Sequence, residues 1–87
     1  MEIKYSERAV RQLKKIAKGD KKSASMILKA IEAYGKNPSS KFDIKILKGK
    51  YGNFKRIGVG NYRIIFDYDG NIMFIYEFKH RQEAYHD

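Results

Sequence analysis

Cysteine is absent from this chain, which excludes a disulfide framework and thiolate-held zinc or redox centres. The absence fits a reducing cytoplasm, the expected location. Long apolar stretches are missing too. The longest, ending at Tyr76, is only a few residues, so no segment is expected to span a membrane. The opening residues Met1-Glu2-Ile3-Lys4-Tyr5 lack the apolar core of a secretion signal. There is no glycine-rich phosphate cradle, because Gly58 and Gly60 sit between extended segments and open no helix. Ser6, Ser23, Ser25, Ser39 and Ser40 fall in caps, helix and loop, which argues against a serine triad. The acidic residues are scattered, without a pair suited to a catalytic metal, and two histidines without cysteine make a poor zinc site. Neither a metal nor a cofactor is expected.

What the chain does have is positive charge. Nineteen Lys and Arg against ten Asp and Glu give a net charge of +9 over 87 residues. For a domain this small, that favours a polyanionic partner, most simply RNA or DNA. A chain of this length buries only about two-thirds of its unfolded surface and has room for one core. Residues 1–87 are therefore read as a single domain. Hydrophobic residues at 43% and aromatics at 14% suffice to build that core.

Periodicity divides the chain into helical and extended parts. Ile3 and Tyr5 alternate with charged neighbours, as in a short opening strand. Ser6 reads as an N-cap with Glu7 in the first turn. Ala9, Val10, Leu13, Ile16 and Ala17 then recur at helical spacing up to Gly19. Asp20 caps a second helix striped by Ala24, Ile27, Leu28, Ile31 and Tyr34 and ended by Gly35 and Pro38. After Ser40 the period drops to two. Strands are expected from Phe42, Ile44 and Ile46, then over Phe54–Val59, Tyr62–Tyr68 and Asn71–Phe78. Gly60-Asn61 turns the chain, and Asp69-Gly70 is a two-residue hairpin signal. The expected fold is α+β: a short N-terminal strand, then an antiparallel two-helix hairpin packed on one face of a four-stranded antiparallel meander. Residues 1–41 carry eleven basic and four acidic side chains, against eight and six in residues 42–87, so the charge excess lies mainly on the helices.

The informative cations lie inside the strands, where arginine is uncommon unless a face is open to solvent or ligand. A two-residue turn at Asp69-Gly70 sets Arg63 opposite Tyr76. Arg63, Ile65 and Asp67 then share the uncovered face with Ile72, Phe74 and Tyr76, while Tyr62, Ile64, Phe66, Met73 and Ile75 face the helices. Arg56 joins Arg63 if the register allows. The alternative for both arginines is an ordinary surface role, or an ion pair with Asp67 or Glu77. A second cluster, Lys79 to His86, places both histidines, Arg81 and Tyr85 just past the last strand, where a rigid scaffold presents reactive groups. Imidazole exchanges protons near neutral pH. Terminal histidines are also commonly just solvated, and Tyr85 could serve only to anchor the tail.

Three segments in order carry a resemblance. They are Ile46-Leu47-Lys48-Gly49, then Arg56-Ile57-Gly58-Val59-Gly60-Asn61-Tyr62-Arg63-Ile64-Ile65-Phe66, then His80-Arg81-Gln82-Glu83-Ala84-Tyr85. With two basic helices before them, they make the whole chain resemble the RelE/ParE superfamily of type II toxin–antitoxin toxins, and within it the RelE-like mRNA interferase branch. The resemblance implies a ribosome-dependent endoribonuclease in which the RNA's own 2′-OH attacks the adjacent phosphate without a metal. Such chemistry needs a base for the 2′-OH, cations for the charge on phosphorus, and an acid for the leaving 5′-oxygen. By similarity Arg63 would stabilise the transition-state phosphate, with Arg56 and Arg81 holding neighbouring charge. Tyr85 or His80 would transfer the proton, with His86 a substitute. Lys48, Lys50, Lys55, Lys79 and His86 are the further RNA and phosphate contacts expected. The partners implied are a RelB-like antitoxin, the ribosome and mRNA.

One position departs from the family pattern. Many ribonuclease members carry a second basic residue where this chain has Gly58, and Lys55 should point to the opposite face. Two alternatives therefore stand beside the nuclease: a ParE-like inhibitor of DNA gyrase, and a catalytically weak member that only binds antitoxin or nucleic acid.

Overall fold

Ser6 opens the helical part of the chain. Its hydroxyl oxygen accepts the Ala9 N–H at 3.0 Å, the N-cap bond that satisfies one of the free donors of a first helical turn. The computed structural model describes residues 2–37, 44–46 and 54–84. Before the cap lies strand β1 (Glu2–Tyr5); after it come α1 (Glu7–Gly19) and α2 (Lys21–Lys36). Asp20 alone joins the helices and serves both. Its N–H donates to the Ile16 carbonyl, and its carboxylate accepts the Ser23 N–H at 3.0 Å and hydroxyl at 2.6 Å. These bonds hold the Asp20 pKa below its ordinary value. α2 runs one residue past the expected Gly35 stop, with Asn37 as its C-cap. Pro38, Phe42, Asp43 and Leu47 lie outside the described residues.

The extended half gives β2 (Ile44–Ile46), β3 (Lys55–Val59), β4 (Tyr62–Tyr68) and β5 (Ile72–His80), followed by a single turn of helix, α3 (Arg81–Ala84). The sheet order is β1-β5-β4-β3-β2. The α+β fold with a helical hairpin over one sheet face is as expected. The sheet itself is mixed, because β1 adds to β5 in parallel with Ile3 beside Met73 and Tyr5 beside Ile75. Such pairing joins segments some seventy residues apart in sequence, and strand alternation alone does not reveal it. Ala9, Ile27, Ile31 and Tyr34 of the helices meet Ile57, Ile64, Phe66, Met73, Ile75 and Phe78 of the sheet in one buried core. Among the described residues no helix is long and apolar enough to cross a membrane.

Two departures reset the expected register. The β4–β5 bend sits later than expected: Tyr68 pairs with Met73, not Asn71. The Asp69 N–H donates to the Ile72 carbonyl at 3.4 Å, and its carboxylate accepts the N–H groups of Asn71 and Ile72, each at 2.8 Å, so the bend falls at Gly70-Asn71 with Asp69 bracing it. Those bonds hold the Asp69 pKa below its usual value, and Gly70, at φ +98°, takes the left-handed position. Further along, Phe66 pairs with Ile75 but Ile65 pairs with Glu77, so Tyr76 is an extra residue in β5, a β-bulge. Arg63 consequently stands opposite Lys79, not Tyr76.

The bulge is held by α1. The Ser6 hydroxyl donates to the Tyr76 carbonyl, and the Gln12 side-chain carbonyl accepts the Phe78 N–H at 2.6 Å. Ser6→Ala should lower stability by about 1–2 kcal/mol, since a cap and a part-buried bond are lost together, and the deficit in urea denaturation should be the same at pH 3 and pH 7. Asp20→Ala should behave differently. A carboxylate whose pKa is depressed by folding stabilises above its unfolded pKa, about 3.9, and loses that contribution as pH falls through the folded value. Its deficit should therefore be present at pH 7 and shrink on acidification.

Candidate functional site

The sheet face away from the hairpin carries the strand cations. Across β3, β4 and β5, the register sets Gly58, Arg63 and Lys79 in one row and Arg56, Ile65 and Glu77 in the next. Residues directly opposite on an antiparallel pair share a face, so all six project to this side. Arg56 and Arg63 are diagonal neighbours, roughly 7 Å apart at the backbone. Gly58, directly across from Arg63, puts no side chain in the first row.

Arg63 is oriented by backbone oxygens. Its Nη1 donates to the Tyr62 carbonyl at 2.9 Å and the Gly60 carbonyl at 3.2 Å, both at the β3–β4 turn, where Gly60 adopts φ +57°. The carboxylates considered as partners are engaged elsewhere. Asp67 accepts the Tyr68 N–H at 2.9 Å, and Glu77, 6% exposed, lies 3.9 Å from Arg8. Among the described residues Arg63 makes no ion pair, and neither does Arg56. A guanidinium fixed by neutral acceptors keeps its full charge for an anion, and its remaining N–H donors suit phosphate oxygens.

The closing segment docks beside this row. Arg81 donates its N–H to the Asn61 carbonyl at 2.6 Å, which ties the start of α3 to the same β3–β4 turn that orients Arg63. His80, the last residue of β5, pairs with Tyr62 and sits edge-on to its ring with centroids 5.4 Å apart. Its Nδ1 accepts the Gln82 N–H at 3.3 Å. The bulge decides its direction. Without it, alternation would put His80 on the face of Arg63; with it, His80 joins Tyr62 and Phe78 on the helix-covered side.

Of the residues singled out from the sequence, Arg56, Arg63 and Lys79 are brought together, with Arg81 adjacent. Lys55 is not among them. It pairs with Phe66 on the helix side, and its Nζ lies 5.6 Å from the centre of the Tyr68 ring. His80 is near in sequence but across the sheet. Lys48, Lys50, Tyr85 and His86 lie outside the described residues. Sequence reasoning missed Arg8, which reaches from α1 to Glu77 and lies 5.8 Å over the Tyr76 ring. The available signal was the slip in β5 from Met73 and Ile75 to Phe78, which breaks a period of two.

Residues 3–85 match the family described as ParE toxin of type II toxin-antitoxin system, parDE. Toxin RelE3 of Methanocaldococcus jannaschii is 31% identical over 85 residues, 98% of this chain and 96% of that protein. A chain of the RelB-RelE antitoxin-toxin complex from Methanococcus jannaschii is 29% identical, with a TM-score of 0.66 over 95% of both chains. Structures of the DinJ-YafQ complex from E. coli, at 11% identity and TM-score 0.80 over 97% of both chains, and of the YoeB-YefM complex from Staphylococcus aureus, at 18% and 0.77 over 92% of this chain and 95% of that one, share the fold. With its family matched almost end to end and a relative above 30% identity over nearly its whole length, this chain belongs to the RelE/ParE superfamily as a toxin of a type II toxin–antitoxin system.

Proposed function

We propose that the chain cuts ribosome-bound mRNA by driving the RNA's own 2′-OH onto the adjacent phosphate. The observation that carries this reading is Arg63: a guanidinium on the sheet face away from the hairpin, held by carbonyl oxygens, with no ion pair among the described residues, directly across from Lys79 and Gly58. A phosphodiester seated there would meet Arg63 first, with Arg56 diagonal to it, Lys79 in the same row and Arg81 at its end. As the 2′-oxygen bonds to phosphorus, charge on the non-bridging oxygens rises, and fixed cations stabilise that state more than the starting diester. The 2′-proton passes to a base, the P–O5′ bond breaks, and the 5′-oxygen takes up a proton. The products are a 2′,3′-cyclic phosphate and a 5′-hydroxyl. Because His80 belongs to the other face, Tyr85 is the proton-transfer residue on this reading.

The partner that silences the toxin is an antitoxin with an acidic, amphipathic segment, which the net charge of +9 would attract. RelB, DinJ and YefM occupy the complexes of the structural neighbours. The relatives do not support the gyrase-inhibiting alternative.

Purified chain added to a translation reaction should leave cyclic-phosphate and 5′-hydroxyl ends at the A site, chelator present or not. Arg63→Ala should slow cleavage by about 100-fold or more, and Tyr85→Phe should also lose activity with the fold intact by circular dichroism. Full activity in both variants would remove the site. Affinity for a single-stranded RNA oligomer should fall with salt, and Arg63→Gln should flatten the log–log slope by about 0.7, one phosphate contact. Lys55→Gln, on the far side of the sheet, should leave the slope as it was. The product of a small acidic gene adjoining this one should co-purify with the chain and abolish cleavage.

A further inference from the structure

Consecutive residues of a strand face opposite ways, so Arg63 and Tyr62 mark two sides of the same sheet end. On the Tyr62 side lies a cleft of about 470 Å³ lined by Gln12, Lys15, Ile16, Gly19, Asp20, Tyr62, Phe78 and His80. Its volume is in the range of small-molecule sites. Three kinds of surface meet there. Ile16 and Phe78 supply an apolar floor, and Tyr62 and His80 an aromatic wall with rings edge-to-face. Lys15, Gln12 and Asp20 supply a polar edge.

The polar groups are set in advance. Gln12 spends its carbonyl oxygen on the Phe78 N–H, which leaves its amide NH2 as a donor. Asp20 is fixed by its two bonds from Ser23, and each oxygen keeps a lone pair for another donor. A flat ligand with an apolar face and a hydrogen-bonding rim fits this set. A free phosphate fits poorly, because the Asp20 carboxylate lines the same space.

We propose that this cleft holds a base of the single-stranded RNA whose phosphate is bound by Arg63. The proposal rests on the cleavage reading and assigns it a base-reading subsite. RNA passing over the Gly60-Asn61 turn, where Arg81 is tethered, would lay its backbone against Arg63 and Arg81 and turn one base in towards Tyr62 and His80. Stacking on such rings is how proteins hold unpaired bases. His80 is then a wall of the subsite, in keeping with its place across the sheet from Arg63.

Gly19 provides a clean test. It lines the cleft, and a Cβ built on it meets nothing within 4 Å, so a side chain can start there without a backbone clash, and Gly19→Leu should narrow the cleft while raising the helix propensity at the end of α1. The 15N-labelled full chain is titrated with adenosine, cytidine, guanosine and uridine 5′-monophosphates and with ribose 5-phosphate. The nucleotides should shift the amide signals of Gln12, Lys15 and Gly19 in α1 as well as those around Arg63, whereas ribose 5-phosphate should shift only those around Arg63. Gly19→Leu should melt no lower than the parent, weaken nucleotide binding by about tenfold or more, and leave the ribose 5-phosphate response unchanged. The proposal is overturned if ribose 5-phosphate reproduces the shifts in the cleft, or if Gly19→Leu binds nucleotides as tightly as the parent. A chain that binds nucleotides there but cuts no RNA would support the subsite and sink the cleavage reading alone.

Discussion

The Tyr76 bulge is the feature on which the site depends. β1 ends beside Ile75, so beyond that point the outer edge of β5 has no strand beside it among the described residues, and unpaired edge groups are costly when covered. α1 supplies the missing partners from side chains: the Ser6 hydroxyl to the Tyr76 carbonyl and the Gln12 carbonyl to the Phe78 N–H. The extra residue between Ile75 and Glu77 reverses the alternation of everything after it. Phe78 turns into the core, Lys79 turns out to face Arg63, and His80 turns towards the helices. Remove that residue and the row of cations loses Lys79 and gains an imidazole.

The core and the strand arginines thus lie on opposite faces of the same strands. Along β4, Ile64 and Phe66 are fully buried under the hairpin, and Arg63 projects from the other side. The cationic row is unfavourable in itself, because like charges directly across an antiparallel pair repel by a few tenths of a kcal/mol to about 1 kcal/mol. Burial on the helix side has to offset this. Each large core side chain contributes roughly 1.5–3 kcal/mol, and Phe66, Ile57, Ile64, Met73 and Ile75 are all essentially without exposure. A row of like charges is tolerable on such a sheet provided that water, or a polyanion, has access to it.

How far the sequence could be read depended on how local the determining interactions were. The helices were legible to within a residue or two, because Ser6 and Asp20 cap them through bonds to residues three along the chain. The face of Arg63 and Arg56 was legible because the extra residue is in β5, which leaves the alternation along β3 and β4 themselves unbroken. The expected β4–β5 register is off by two residues because the Asp69 carboxylate caps Asn71 and Ile72 and moves the bend on to Gly70-Asn71. The bulge was missed because its cause lies in Ser6 and Gln12, more than sixty residues away. The same distance explains why His80 was grouped with Arg63. Adjacency in the signature His80-Arg81 says nothing about faces, and one inserted residue reverses the answer.

Gly58 deserves to be weighed in these terms. A glycine inside a strand weakens it, and one tends to occur where something must approach the backbone closely. Here it stands directly across from Arg63, in the position where a basic side chain would meet the same phosphate. Losing a cation at that spot removes little ground-state attraction, because Arg56, Lys79 and Arg81 still attract the polyanion over several ångströms. It removes more from the transition state, in which charge concentrates on oxygens that only the nearest donors touch. If the chain cuts RNA as proposed, the departure from the family pattern therefore bears on turnover more than on affinity.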